Sequence, residues 1–118
     1  MGWGIFQKLQ AGPVDVSALL GLSTGTATLV RRGDVVQLDL ESARVLGDGW
    51  YNAPETIPAE YWPVNAYARL LVSNQAGQSR RVYVRSTGLV SLPAADPAEY
   101  LTGTVTYLGR GSILGGGA

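Results

Sequence analysis

From Val35 to Glu41 the chain alternates apolar and polar residues: Val36, Leu38 and Leu40 fall on one side, Gln37, Asp39 and Glu41 on the other. A period of two is the pitch of a pleated strand, with one face for a core and one for water. Strands of an all-parallel sheet are apolar on both faces, so this stretch belongs to an antiparallel sheet. A one-residue slip would turn the apolar set outward, so the register is pinned as well.

The same period recurs along the chain. Thr26–Arg32 is a strand joined to the first by the tight turn Gly33-Asp34. Ala66–Val72, Arg80–Arg85, Leu89–Leu92 and Thr102–Leu108 follow, separated by the turn signals Asn74–Gly77 and Thr87-Gly88. Ala43–Leu46 extends the first strand past a bulge. Short strands at hairpin spacing predict an all-β fold, an antiparallel β-sandwich (jelly-roll-like) over residues 25–108. Its core is expected from Leu29, Val36, Leu38, Leu40, Leu70, Val72, Val82, Val84 and Val105. Residues 1–24 read as an N-terminal arm for assembly or attachment. The arm carries at most one helical turn, capped by Asp15 or Ser17 and ended by Gly21. Residues 109–118 read as a flexible Gly-rich tail. Between Trp50 and Pro63, three prolines and four large aromatic residues predict an irregular loop.

Composition removes whole classes of chemistry. The 118 residues contain no cysteine and no histidine, so thiolate catalysis, zinc–sulfur sites and the commonest general base are excluded. No full set of metal ligands is spaced along the chain, so no metal and no cofactor is expected. Nine basic and nine acidic residues give a formal charge of zero, which argues against nucleic acid or an anionic membrane as partner. No stretch approaches the roughly 18 apolar residues of a membrane-spanning helix, and Met1–Gln10 lacks a signal-peptide pattern. The carboxylates are scattered, whereas a glycosidase needs two opposed across a cleft. A non-enzymatic protein is expected, with a glycan hydrolase as the distant alternative. Charged residues are only 15% of the chain, against about 25% in a typical soluble domain. A surface so poor in charge is expected to be covered in part by other copies of the chain.

Three groups of residues are candidates for contact with a partner. Trp50, Tyr51, Tyr61 and Trp62 offer ring faces on which sugars stack; equally, they suit pinning a proline-rich loop to the sheet. Arg81 and Arg85, with Arg80 beside them and Tyr83 between, suit the phosphates of a teichoic-acid-like polymer through planar bidentate contacts. Pairing with acids across a subunit boundary, or a solvated strand face, are the other readings of the same arginines. Trp3, Ile5, Phe6 and Leu9 are apolar anchors by which the arm grips an assembly.

The order of pieces also resembles a known family. Arg31-Arg-Gly-Asp-Val-Val-Gln-Leu-Asp-Leu40 is followed by Ile57-Pro-Ala-Glu-Tyr-Trp-Pro63, an arginine-rich hairpin, Thr87-Gly-Leu-Val-Ser-Leu92 and the closing strand Thr102-Gly-Thr-Val-Thr-Tyr-Leu108. Over residues 25–108 this is similar to the C-terminal β-domains of minor tail and tail-fibre (receptor-binding) proteins of bacteriophages of actinobacterial and other Gram-positive hosts. The resemblance implies a virion structural protein on the particle surface, most simply a tail or fibre tip domain binding host cell-surface glycan. It implies a homotrimer, with tail or capsid proteins as further partners. A capsid decoration or head-fibre protein bound to the outer shell is the alternative within the same class.

Overall fold

Gly33 and Asp34 form a two-residue connection, with Arg32 and Val35 paired across it and Gly33 at a φ of +61°. The hairpin it creates, β2 (Thr24–Arg32) and β3 (Val35–Arg44), is the longest ladder of the molecule. The computed structural model describes residues 10–46, 49–94 and 99–111. Among these, the remaining strands are β1 (Ala11–Asp15), β4 (Gly49–Asn52), β5 (Tyr67–Ser73), β6 (Ser79–Arg85), β7 (Val90–Ala94) and β8 (Leu101–Leu108). One helical turn, α1 (Ser17–Leu20), and a 3-10 turn, Ala59–Tyr61, complete the set. No described helix is long and apolar enough to cross a membrane.

All neighbouring strands are antiparallel, in the order β1-β2-β3-β8-β5-β6-β7-β4. The expected all-β antiparallel fold is therefore what forms. Its two facing layers are one continuous sheet curled into a half-barrel. β8 lies along β3 from Val35↔Leu108 to Ala43↔Leu101, but it meets β5 at a single ladder pair, Ser73↔Thr102. The sheet turns its corner at that seam. A bulge helps it bend: the β3–β8 register shifts between Leu40 and Ala43, where Ser42 has a φ of +49°. Opposite it Gly25 approaches so closely that a Cβ there would stand 2.1 Å from the Ser42 carbonyl oxygen, so no other residue fits.

The core lies between the two halves. All nine expected core residues are buried, from Leu29 through Val105. Val16, Leu20, Ile57, Tyr61, Val90, Leu92 and Leu101 join them. Two of these additions correct the expected arm. β1 pairs with β2 through Ala11↔Arg31 and Val14↔Leu29, and Val16 and Leu20 are 1% and 0% exposed. The sheet thus begins at Ala11 rather than at residue 25, because the two apolar side chains after β1 are needed in the core. The turn forms, and Gly21 ends α1 in the left-handed conformation as expected. Val16 rather than Asp15 or Ser17 stands at its N-cap, no side chain caps it, and Asp15 Oδ1 accepts the Ser17 N–H from one residue further out. Hydrogen bonding from the Ser17 side chain, and then from its N–H, holds the Asp15 carboxyl below its usual pKa. Trp3, Ile5, Phe6 and Leu9 lie outside the described residues.

A second correction concerns the segment read as one irregular loop. Gly49–Asn52 precedes its first proline, keeps its backbone donors, and pairs with β7 through Trp50↔Pro93 and Tyr51↔Leu92. The irregular part starts at Ala53 and is fastened at several points. Trp62 Nε1 donates to the Ile57 carbonyl at 2.7 Å, and its indole lies on Gly88, where any side chain would collide with it. The Tyr107 hydroxyl donates to the Tyr61 carbonyl at 2.6 Å, and burial pushes the Tyr107 pKa up. Arg31, only 3% exposed, donates to the carbonyls of Gly33, Glu60 and Arg110. The residues after β8 begin bound rather than free: Gly109 N–H donates to the Asp34 carbonyl and Arg110 N–H to that of Trp62.

Candidate ligand-binding face

The half-sheet β5-β6-β7-β4 sends Leu70, Val72, Val82, Val84, Val90 and Leu92 inward. Alternation then obliges the intervening residues to face solvent. The registers Tyr67↔Arg85, Arg69↔Tyr83 and Leu71↔Arg81 place two rings and three guanidinium groups side by side on β5 and β6. Trp50, 57% exposed, joins them from β4. The rings form a continuous line: Trp50 and Tyr83 have centroids 5.2 Å apart, and Tyr83 and Tyr67 lie 5.8 Å apart in an edge-to-face arrangement.

Hydrogen bonds fix the platform. The Ser91 hydroxyl, buried beneath the rings, donates to Asn52 Oδ1 at 2.6 Å. The Arg69 guanidinium sits 5.0 Å above the Tyr67 ring and donates to its hydroxyl. That hydrogen bond, the Arg69 charge and the more distant Arg85 lower the Tyr67 pKa, and the same contact raises that of Arg69. Two shallow depressions flank Tyr83 and share Arg85 as a wall. Tyr67 closes one, and Trp50, Asn52 and Ser91 line the other, about 370 Å³ in volume.

Charge on the four strands of this half-sheet has one sign. The four strands contain no Asp or Glu at all. Among the described residues the ion pair Arg80–Glu99, at 2.8 Å, involves the arginine of β6 that points to the other side of the strand. The outer face of the opposite half is its converse. Thr26, Thr28, Thr102 and Thr104 surround Asp39 and Glu41 there, and Asp39 accepts hydrogen bonds from Thr104 Oγ1 and Gln37 Nε2. No ring lies among them. Among the described residues no three carboxylates come together in a way that would hold a metal ion.

The structure divides the aromatic residues expected to meet a ligand. Trp50 and Tyr83 stand on the exposed face with Arg81 and Arg85. Tyr51, on the other side of β4, puts its hydroxyl against Gly21, and Tyr61 is 3% exposed in the core. Burial raises the Tyr61 pKa, with the Glu60 charge adding to it. Trp62 is held by Ile57 and Gly88, with Arg110 5.4 Å from its ring. These three rings fasten the loop and are not free to bind. Sequence reasoning missed Tyr67, Arg69 and Asn52. The first two lie opposite the apolar positions Ala68, Leu70 and Val72, so the alternation of β5 carried the signal; the strand register that makes them neighbours of Arg85 and Tyr83 did not show. No protein-family model and no curated protein matches the chain.

Proposed function

We propose that the chain is a non-enzymatic binding domain on the surface of a bacteriophage particle, whose arginine–aromatic face holds host cell-surface glycan. The observation that carries the binding reading is the line Trp50–Tyr83–Tyr67 set among Arg69, Arg81 and Arg85 on four strands that contain no carboxylate. Exposed rings offer apolar stacking to sugar C–H groups, and guanidinium groups with no ion-pair partner among the described residues select anionic substituents. Placement on a phage particle rests on the resemblance in sequence. The absence of an enzymatic role is supported by the position of Asp39 and Glu41, which stand on an open threonine-covered face away from the rings.

The test is binding to purified actinobacterial cell-wall sacculi, measured by sedimentation of the labelled chain. Trp50→Ala combined with Tyr67→Ala, both exposed and outside the core, should weaken binding about tenfold. Tyr100→Ala, an exposed ring away from this face, should leave it unchanged. Equal binding by the double variant and the unaltered chain would overturn the assignment of this face. Antibody labelling of intact particles tests the placement: label at the tail supports a tail or fibre tip domain, label over the head shell supports the capsid decoration alternative instead, and particles without label overturn the placement.

A further inference from the structure

The outward residues of β5 and β6 repeat in steps. Proceeding along the strands, one step carries Arg81 opposite Leu71, the next Arg69 opposite Tyr83, and the third Arg85 opposite Tyr67. Trp50 stands at the Arg81 end, because its neighbour Asn52 pairs with Ser91, which in turn faces Tyr83. Each step therefore holds one guanidinium; two of the three set it opposite a ring, and the Arg81 step sets it opposite Leu71. Successive steps are one dipeptide apart, about 6.6–6.8 Å. The three arginines zigzag between two adjacent strands about 4.8 Å apart.

Such a row is a ruler for a linear ligand. We infer that the ligand is a phosphodiester polymer of a three-carbon polyol, lying along β6 with successive phosphates at Arg81, Arg69 and Arg85; this rests on the binding function proposed above. The repeat of that polymer, from one phosphorus to the next, spans six backbone bonds. A dipeptide also spans six, so the two extended chains advance by nearly the same length per repeat. A five-carbon polyol adds two bonds per repeat and falls out of step by the third arginine. The planar guanidinium takes two phosphate oxygens at once, and no carboxylate on these strands competes for it. Between phosphates, the polyol C–H groups and any sugar they carry meet Tyr83 and Tyr67, in the depressions that share Arg85.

Calorimetry with defined oligomers tests the inference. The probes are glycerol-phosphate oligomers of one to six repeats, a ribitol-phosphate hexamer, polygalacturonate and a neutral dextran. Affinity should climb steeply up to three glycerol-phosphate repeats and little beyond, and should fall with added salt. Arg69→Gln, Arg81→Gln and Arg85→Gln should each weaken binding about three- to tenfold, with near-ultraviolet circular dichroism unchanged. Equal binding of the ribitol polymer or polygalacturonate would overturn the match of spacing and leave only a charge preference. Binding of dextran that depends on Trp50 and Tyr67 but not on the arginines would overturn the phosphodiester and leave the glycan-binding function standing. Failure to bind any of these, together with failure to bind sacculi, would remove both.

Discussion

Arg31 and Arg32 are chemically identical neighbours with opposite fates. Arg31 falls on the side of β2 that carries Ala27 and Leu29, so its stem enters the core and its head must find partners there. It finds three main-chain carbonyls, which ties the β2–β3 turn, the 3-10 turn and the exit of β8 to one side chain. Its Nη2 is buried without a hydrogen-bond partner. Arg31→Met keeps much of the volume but leaves the carbonyls without donors, and should cost about 2–4 kcal/mol in urea unfolding. Arg32→Met, on the exposed side, should stay within about 0.5 kcal/mol. A loss below about 1 kcal/mol at Arg31 would mean that water replaces the guanidinium without penalty. With Leu29 in the core, the alternation of β2 puts Arg31 on the same side; two of the three carbonyls that receive it come from residues 60 and 110, which no local pattern connects to it. The same holds for the aromatic residues. Trp50 and Tyr51 are adjacent, and only the pairing of β4 with β7 decides which is exposed and which packs inward.

Among elements, the corner of the sheet has its own polar knot. Asn74, at the β5–β6 turn, uses its amide oxygen to accept from the N–H groups of Ala76 and Gln78, and its amide nitrogen to donate to Gln78 and Glu99. Arg80 of β6 donates to both oxygens of Glu99, just ahead of β8. This knot sits beside Ser73↔Thr102, the single pair that joins the two halves. The Arg80 hydrogen bonds first, then Asn74, lower the Glu99 pKa from its ordinary 4.5, against the effect of burial. A carboxyl with a depressed folded-state pKa stabilises the fold above its unfolded value and loses that contribution as pH falls through the folded one. Glu99→Gln should therefore lower the melting temperature at pH 7, and the gap from the unaltered chain should close as pH drops below 4.5. A gap that persists unchanged at pH 2 would show that Glu99 acts by packing alone. The strands that bury one face, β2, β3, β5, β6 and β8, were readable from their period. β1 and β4 were not: both are short edge strands of the sheet, one interrupted by Pro13 and the other only four residues long. The order across the sheet was equally hidden, since the β3–β8 ladder joins residues such as Asp39 and Thr104, 65 positions apart.

At the scale of the whole molecule, a formal charge of zero conceals two unlike faces, one of threonine with Asp39 and Glu41, the other of rings with three arginines. The low total charge that prompted an expectation of self-association therefore belongs to a surface with two distinct chemistries. Multi-angle light scattering of the full chain should give a multiple of 12.4 kDa, three copies if the phage resemblance holds. Removing residues 1–9, rather than any part of β1, should return the mass to that of one chain and leave the melting temperature unchanged. A mass of 12.4 kDa for the full chain at micromolar concentration would overturn the expectation.

The long-range ladder between β3 and β8 also sets an order of assembly in time. Within the half-sheet β5-β6-β7-β4, the β5-β6 and β6-β7 hairpins close over short loops and form early, while β4 joins β7 across the 39 positions that separate Asn52 from Ser91. β3 must wait with an unsatisfied edge until β8, the last strand of the described chain, emerges from the ribosome. Until then, every nascent copy of this protein carries an open strand edge that a neighbouring copy can occupy, and the rate of synthesis sets how long it stays open.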